Sequence, residues 1–537
     1  MMQHLRREEI SQIRKRLFLH LDGWVLIPTL YNLKRLNVLQ LFLEKKKWDL
    51  AALNSEAETN EGYLNVALRI LASQGYLLRA VNNHSDEITL QLTELGTEAF
   101  KKAEHYHAFY KLITDETVRP RNVISENADT DALNAASIQL ESFRKHQISD
   151  LDIRMTYHME GLLMGSVLVG LGINGKLKNL DIQTALNAEL FDITQKTFDW
   201  FMKMLIHIEY VNINSSKYHF TAKGLYHSKR ASSYGVTLSY LPTFSKLHTL
   251  LKGDPNEIWK TNEEGHESHV YRYMNVWGSG GAHSGYFKKV DEIIIELFNR
   301  PIEEQPKGII DVGCGDGTFI SHVYEVISQK TSRGKLMDKH PLFIMGVDYN
   351  KKARMATREK LKAKNISAHV GFGDISNPER LNNMLINDYQ IKLSELLNCR
   401  TFLDHNRIYQ KPDATSLSSI SDGAFAYRGR RIPNNELFQN LSNHLKSWEP
   451  YVKKFGLLVV ELHAISSKEA ASNIGETLAT PYEGTHGYSD QYIIELPSFL
   501  NAAKQAGLEP VDGYSFKIPD ANKPSISIQL LKGAEII

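Results

Sequence analysis

The N-terminal half of the chain repeats one pattern. Apolar residues fall at helical spacing in Leu64-Asn-Val-Ala-Leu-Arg-Ile-Leu-Ala-Ser-Gln-Gly-Tyr-Leu77, and again in Phe198-Asp-Trp-Phe-Met-Lys-Met-Leu-Ile-His-Ile-Glu-Tyr-Val211. Each run gives way to a polar stretch and then to T-x-x-G, at Thr93–Gly96 and Thr221–Gly224. The pattern predicts, twice, a helix leading into a two-strand wing: tandem winged-helix-like modules. Leu36–Leu43 and Leu50–Leu53 supply the earlier helices of the first module. Residues 105–150 are polar and predict helix, with a linker around Asn122–Asn134.

The C-terminal half alternates short apolar runs with amphipathic ones. Strands are predicted from Gly308, over Leu342–Asp348 and His369–Asp374, beside Arg400–Arg407, and over Phe455–His463 and Ser525–Leu531. Helices are predicted over Thr318–Ser328, Asn350–Lys364, Asn434–Val452 and Phe499–Ala506. This alternation predicts an α/β, Rossmann-like core. The expected domains are 1–120 (first module), 121–265 (second module and linker) and 266–537 (core, with an insertion about 408–433). The two modules form a mostly helical lid. Tyr271–Phe287 mixes aromatics, glycines and a histidine without strand or helix period, and reads as a functional segment.

Chemistry first enters at Gly308-Ile-Ile-Asp311-Val-Gly313-Cys-Gly315-Asp316-Gly317, a strand ending in a glycine turn. Alternate glycines let backbone approach a ligand. The turn lacks the G-x-G-x-x-G spacing and is acidic at Asp311 and Asp316, so a pyrophosphate would be a poor guest. A cationic sulfonium with an amino-acid tail suits it better. Asp348 and Asp374 end the next two strands, giving acids at three successive strand ends.

Composition narrows the function. A chain of 537 residues exceeds one hydrophobic core. Lys+Arg 63 against Asp+Glu 62 gives a net charge of +1, which disfavours nucleic acid as a partner. The helices of the modules carry few base-reading side chains outward. Two cysteines, Cys314 and Cys399, exclude a disulfide framework. No apolar stretch is long enough to span a membrane and the N-terminus lacks an apolar signal core, so a cytoplasmic location is expected.

At the other end of the sheet, Glu461 and His463 close the strand Phe455–His463, where ligands bind in open α/β sheets. His486 and Gln491 lie in the following His486-Gly-Tyr-Ser-Asp-Gln491 stretch. Two readings stand. A histidine oriented by a carboxylate is a general base. Alternatively His463 with His486 or Gln491 holds one divalent metal that chelates a dicarbonyl substrate.

The glycine turn resembles motif I of class I S-adenosylmethionine-dependent methyltransferases. Asn275-Val-Trp277-Gly-Ser-Gly280-Gly-Ala-His283, Phe402-Leu-Asp-His-Asn-Arg407 and His486–Gln491 resemble polyketide synthase C-methyltransferases of the apratoxin synthase loading-module type. The resemblance implies S-adenosylmethionine held by Asp311, Gly313, Gly315, Asp348 and Asp374, with Trp277, Gly280 and the segment to His283 closing over it. It implies α-carbon methylation of a malonyl-type or β-ketoacyl thioester on an acyl carrier protein, with Glu461, His463 and His486 catalytic. It also implies a mononuclear iron or manganese site with His463 and Gln491 as ligands, although some relatives use a histidine base without metal. Similar modules in small-molecule methyltransferases form dimer contacts, so a homodimer is expected. Two alternatives are an O- or N-methyltransferase of a small metabolite and a winged-helix regulator with a degenerate sensor domain.

Overall fold

The computed structural model describes residues 5–260, 267–280, 283–519 and 523–533. It contains two compact units. One, mostly helical, comprises Met1–Ala282, Ala424–Arg431 and Ser466–Asp490; the other comprises His283–Gly423, Ile432–Ile465 and Gln491–Ile537. Among the described residues, no helix is long and apolar enough to cross a membrane.

Two long helices, Arg7–Arg35 and Asp150–Ile173, organise the helical unit. They meet through glycine: a Cβ at Gly23 would lie 2.5 Å from His158 Cα, and one at Gly161 2.4 Å from His20 Cα. Beside this crossing, the buried Glu160 carboxylate accepts from Arg16 at 2.5 and 2.6 Å, from His20 Nε2 at 2.9 Å, and from Arg144. Burial works against this carboxylate, but the Arg16 guanidinium and the His20 ring hold it well below the usual range.

Both wings form. The helix Glu61–Ser73 leads into Leu77–Asn82 and Glu87–Leu92, and Gln195–His207 leads into Val211–Asn214 and Lys217–Phe220. The structure explains the repeated T-x-x-G. Thr93 and Thr221 cap short helices, their hydroxyls accepting from Gly96 N at 2.9 Å and Gly224 N at 3.1 Å. Each glycine lies against the carbonyl that begins its wing: an added Cβ would sit 2.0 Å from Tyr76 O or Tyr210 O. The Tyr271–Phe287 segment differs from its aperiodic pattern. Arg272–Gly280 is a helix, and a second helix starts at His283. Gly278 explains the weak apolar signal: its backbone packs on that of Gly235 and Val236, so contact is made by main chain rather than by side chains.

The second unit is built on an eight-stranded sheet: β1 (Gly308–Val312), β2 (Phe343–Asp348), β3 (His369–Phe372), β4 (Leu397–Thr401), β5 (Leu457–Ala464), β6 (Leu508–Ile518), β7 (Ile526–Gly533) and a short strand, Ile494–Glu495, that pairs in parallel with the end of β5. Their spatial order is β6-β7-β5-β4-β1-β2-β3. All neighbours from β5 to β3 are parallel, and β7 alone runs against both its neighbours. Every residue of β5 is buried, as expected of a central strand covered on both faces. The order reverses between β1 and β4, which opens a crevice at their carboxyl ends. The helices α1 (Thr318–Lys330), α2 (Lys351–Ala363), α3 (Asn434–Val452) and α4 (Leu496–Gln505) flank the sheet.

Candidate active site

The glycine turn leaves β1 at the switch point. Gly313, Gly315 and Gly317 have φ of +78°, +55° and +78°, values that favour glycine. An added Cβ at Gly315 would meet nothing within 4 Å, so the turn is open on that side. Asp311 is buried, and neither carboxylate oxygen has a partner among the described residues. Burial, with Asp348 and Asp316 nearby, pushes its carboxyl up to about 8. Such a group calls for a cation. Asp348 accepts from Gly315 N at 3.1 Å and from Asn350 N at 2.7 Å, which fixes its carboxylate at the end of β2. Asp374 accepts from Ser376 N at 2.9 Å and its hydroxyl at 2.7 Å.

Asp316, read from the sequence as part of the acidic turn, serves the fold instead. It accepts from Thr318 N at 3.0 Å, just ahead of α1, and pairs with Lys360 at 2.5 Å. Burial raises its pKa, but the Lys360 and Thr318 hydrogen bonds outweigh that and lower it. One acid without a basic partner therefore remains in the turn, at Asp311. This donor set fits S-adenosylmethionine: the unpartnered Asp311 would face its positive charge, the open Gly313–Gly315 turn would admit its chain, and Asp348 and Asp374 would accept from its ribose hydroxyls and adenine edge. Trp277 and Gly280 lie in the helical unit. The indole covers Gly172 and Gly235, and Gly280 has open space around it. Gly281 and Ala282 lie outside the described residues.

At the carboxyl ends of β4 and β5 a buried dyad stands out. His405 Nδ1 and Glu461 Oε1 are 2.6 Å apart. Glu461 also accepts from His405 N at 3.2 Å and Leu462 N at 2.6 Å. A carbonyl-side lock holds the turn as well, Tyr492 N donating to His405 O at 2.7 Å. Beneath it, Asp404 accepts from Arg400 Nη1 at 2.6 Å and lies 3.0 Å from His444 Nε2. Arg400 stacks over Trp448 at 3.9 Å, and Arg407 donates to Asp404 O at 2.8 Å and Asn440 at 2.8 Å. Although burial opposes it, the Arg400 charge keeps Asp404 ionised far below the usual carboxylate range. Asp404, His405, Arg407, Glu461, Tyr492 and Phe499 border a cavity of about 10 Å³, on the scale of one water molecule.

The other residues singled out at this end are spread apart in role. His463 is buried, with Nδ1 donating to Ile494 O at 3.1 Å and Nε2 2.8 Å from Ser527 Oγ. Burial pushes its pKa down to about 4. His486 belongs to the helical unit, where its Nδ1 donates to Tyr482 O at 2.9 Å. Gln491 is buried in the sheet unit. These residues do not fit an iron or manganese ion: both His463 nitrogens are engaged inside the sheet. Among the described residues, no three His, Cys, Asp or Glu side chains are grouped to hold a metal. His405 carries a readable signal all the same. Its motif follows a strand end, the criterion that points to Glu461 and His463, and only the fold shows which histidine meets the carboxylate.

Comparison with known families gives three matches. Residues 267–529 match the AprA MT2-like domain, 13–79 the AprA N-terminal domain and 160–254 the AprA winged helix domain. The chain is an AprA-type methyltransferase. It is therefore an S-adenosylmethionine-dependent enzyme with a winged-helix region before a Rossmann-like core. Comparison with curated proteins finds no match. Among solved structures, the AprA-type chain is similar to the mitomycin 7-O-methyltransferase MmcR, at 11% identity and TM-score 0.42, over 75% of this chain and 100% of that one. An O-methyltransferase family protein from Burkholderia thailandensis gives 11% identity and TM-score 0.42, over 72% and 100%. LepI in complex with SAM gives 10% identity and TM-score 0.39, over 81% and 100%.

Proposed function

We propose that this AprA-type methyltransferase methylates the α-carbon of a malonyl-type or β-ketoacyl thioester carried on an acyl carrier protein, with His405 as general base and Glu461 as its orienting partner. The observation that carries the reading is the 2.6 Å His405–Glu461 contact at the strand ends. A carboxylate on Nδ1 fixes the tautomer with the basic lone pair on Nε2, as base catalysis requires. A proton between two carbonyls is acidic enough for imidazole to remove; an aliphatic hydroxyl proton is not.

S-adenosylmethionine supplies an electrophilic methyl group on a sulfonium. His405 takes the α-proton, and the C–H electron pair passes into the thioester carbonyl as an enolate. The α-carbon then attacks the methyl carbon. The cofactor would supply the methyl group, keep the electrons of the methyl–sulfur bond and leave as a neutral thioether. Glu461 stabilises the imidazolium until its proton passes to solvent. Asp311 would hold the cofactor's positive charge, both its carboxylate oxygens having no partner among the described residues. His463 and His486 are assigned no step, and no metal is invoked.

The test is mass spectrometry of malonyl- and methylmalonyl-loaded carrier protein after incubation with the enzyme and methyl-labelled cofactor. One label on the acyl carbon is expected, unchanged by EDTA. His405→Gln should lower turnover by about 10²–10⁴-fold while leaving cofactor binding intact. Label on oxygen, or full activity in His405→Gln, would sink the reading.

A further inference from the structure

Helix α2 and its C-terminal flank carry an unusual charge. Lys351–Lys364 holds seven cations and one acid, a net charge of +6 in a chain whose total is +1. Some of it is spent within the unit: Lys360 pairs with Asp316 and Lys364 with Glu325. The outward face is different. Lys351, Met355, Arg358 and Lys362 follow one another at intervals of four, three and four residues, which places them on one helical stripe, and all four are exposed. Thr357 and Leu361, on the opposite side, are buried. Among the described residues no carboxylate pairs with Lys351, Arg358 or Lys362; Arg358 donates only to the carbonyl of Val370, at 2.7 Å. Arg354, at the inner edge of the stripe, donates to the carbonyls of Asp348 and Tyr349 at 2.8 and 2.9 Å.

Neighbouring like charges one turn apart weaken a helix by a few tenths of a kcal/mol each. An unbalanced stripe is thus a local cost, and it surrounds an exposed methionine, a side chain suited to adaptable apolar contact. The stripe begins three residues after Asp348, so its first turn lies at the carboxyl edge of the sheet, where the cofactor residues are. It runs about 16 Å along the helix, at 1.5 Å per residue. The basic hairpin residues do not compete for the same role. Arg428 pairs with Asp490 and covers Trp259, and Arg431 pairs with Glu61 and Asp86.

We infer that the outward face of α2 is the docking surface for an acidic carrier protein, whose negatively charged helix lies along Lys351, Arg358 and Lys362 with an apolar side chain against Met355. The inference rests on the carrier-bound acceptor proposed above. It is tested with the double variant Lys351→Glu/Lys362→Glu, because neither side chain serves the fold. The probe is an acidic polyketide acyl carrier protein loaded with methylmalonyl-pantetheine, titrated into full-length enzyme by fluorescence anisotropy at low and high salt. Binding should weaken about tenfold or more in the variant and with added salt in the wild type. Turnover of the free methylmalonyl N-acetylcysteamine thioester should stay unchanged. Equal carrier binding by the two proteins, no binding by the wild type, or equally tight competition from duplex DNA or anionic vesicles would overturn the inference. Carrier binding that depends on the stripe without any methyl transfer would sustain the docking surface and refute the proposed acceptor chemistry instead.

Discussion

At the scale of single residues, the neighbouring strands β1 and β4 carry carboxylates used in opposite ways. Asp311 is buried without a partner and pushed up to about 8. In the unfolded chain an aspartate ionises near 4. The folded state therefore holds a proton that the unfolded state releases, and stability falls as pH rises from about 4 through 8. Asp311→Asn should remove that dependence, giving a higher Tm than wild type at pH 8 and a smaller difference at pH 5. The same variant should lose cofactor affinity by about 10- to 100-fold, the worth of a charged hydrogen bond. Calorimetric titration and thermal melts at the two pH values separate the effects. Asp404 works the other way, held ionised against burial by Arg400. Asp404→Asn strands a buried guanidinium and should cost about 3–5 kcal/mol. Chemical denaturation checks it, and Asp404→Asn with Arg400→Met should recover part of the loss.

At the scale of elements, the wings rest on two contacts each. Thr93→Ala and Thr221→Ala should each cost about 1 kcal/mol through the lost helix cap. Gly96→Ala and Gly224→Ala should cost about 1–3 kcal/mol or more, because the new methyl meets a backbone carbonyl that cannot withdraw. Thermal melts of the four variants measure this, and a glycine variant as stable as wild type would contradict the close approach. These elements were legible because each follows from a local rule: apolar spacing for the helices, polar breaks for the wings, alternating runs for the sheet. The Asn434–Val452 helix matches its expected ends. Arg272–Gly280 was not legible, since glycine packing leaves no apolar period. The candidate cofactor acids Asp311, Asp348 and Asp374 could be picked out because each lies at or just beyond the end of its own strand. The His405–Glu461 pair could not, because 56 residues of chain separate two groups that only the β4–β5 pairing brings together. His463 illustrates the converse. Its position at the end of β5 was readable, but its Ser527 partner arrives on a strand that follows much later.

At the scale of the whole molecule, the near-zero net charge conceals an uneven distribution. The remainder of the chain must be acidic to balance α2 and its flank, which leaves a cationic stripe against an acidic background. Salt should therefore weaken binding of an acidic macromolecule at α2 more than binding of a small cation at the buried Asp311. A second property of the molecule lies in its connectivity. Ala424–Arg431 and Ser466–Asp490 are parts of the helical unit although they are encoded within the methyltransferase half. Tyr488, fully buried there, bonds Thr29 at 3.0 Å, and Glu483 pairs with Arg69 at 3.0 Å. A fragment beginning at His283 should accordingly aggregate or melt without cooperativity, because these stretches lose the surroundings that bury them. Recombination meets the same obstacle. A breakpoint between the two halves would join each unit to a foreign complement, so engineering that exchanges the helical region or its methyltransferase core must move the whole chain.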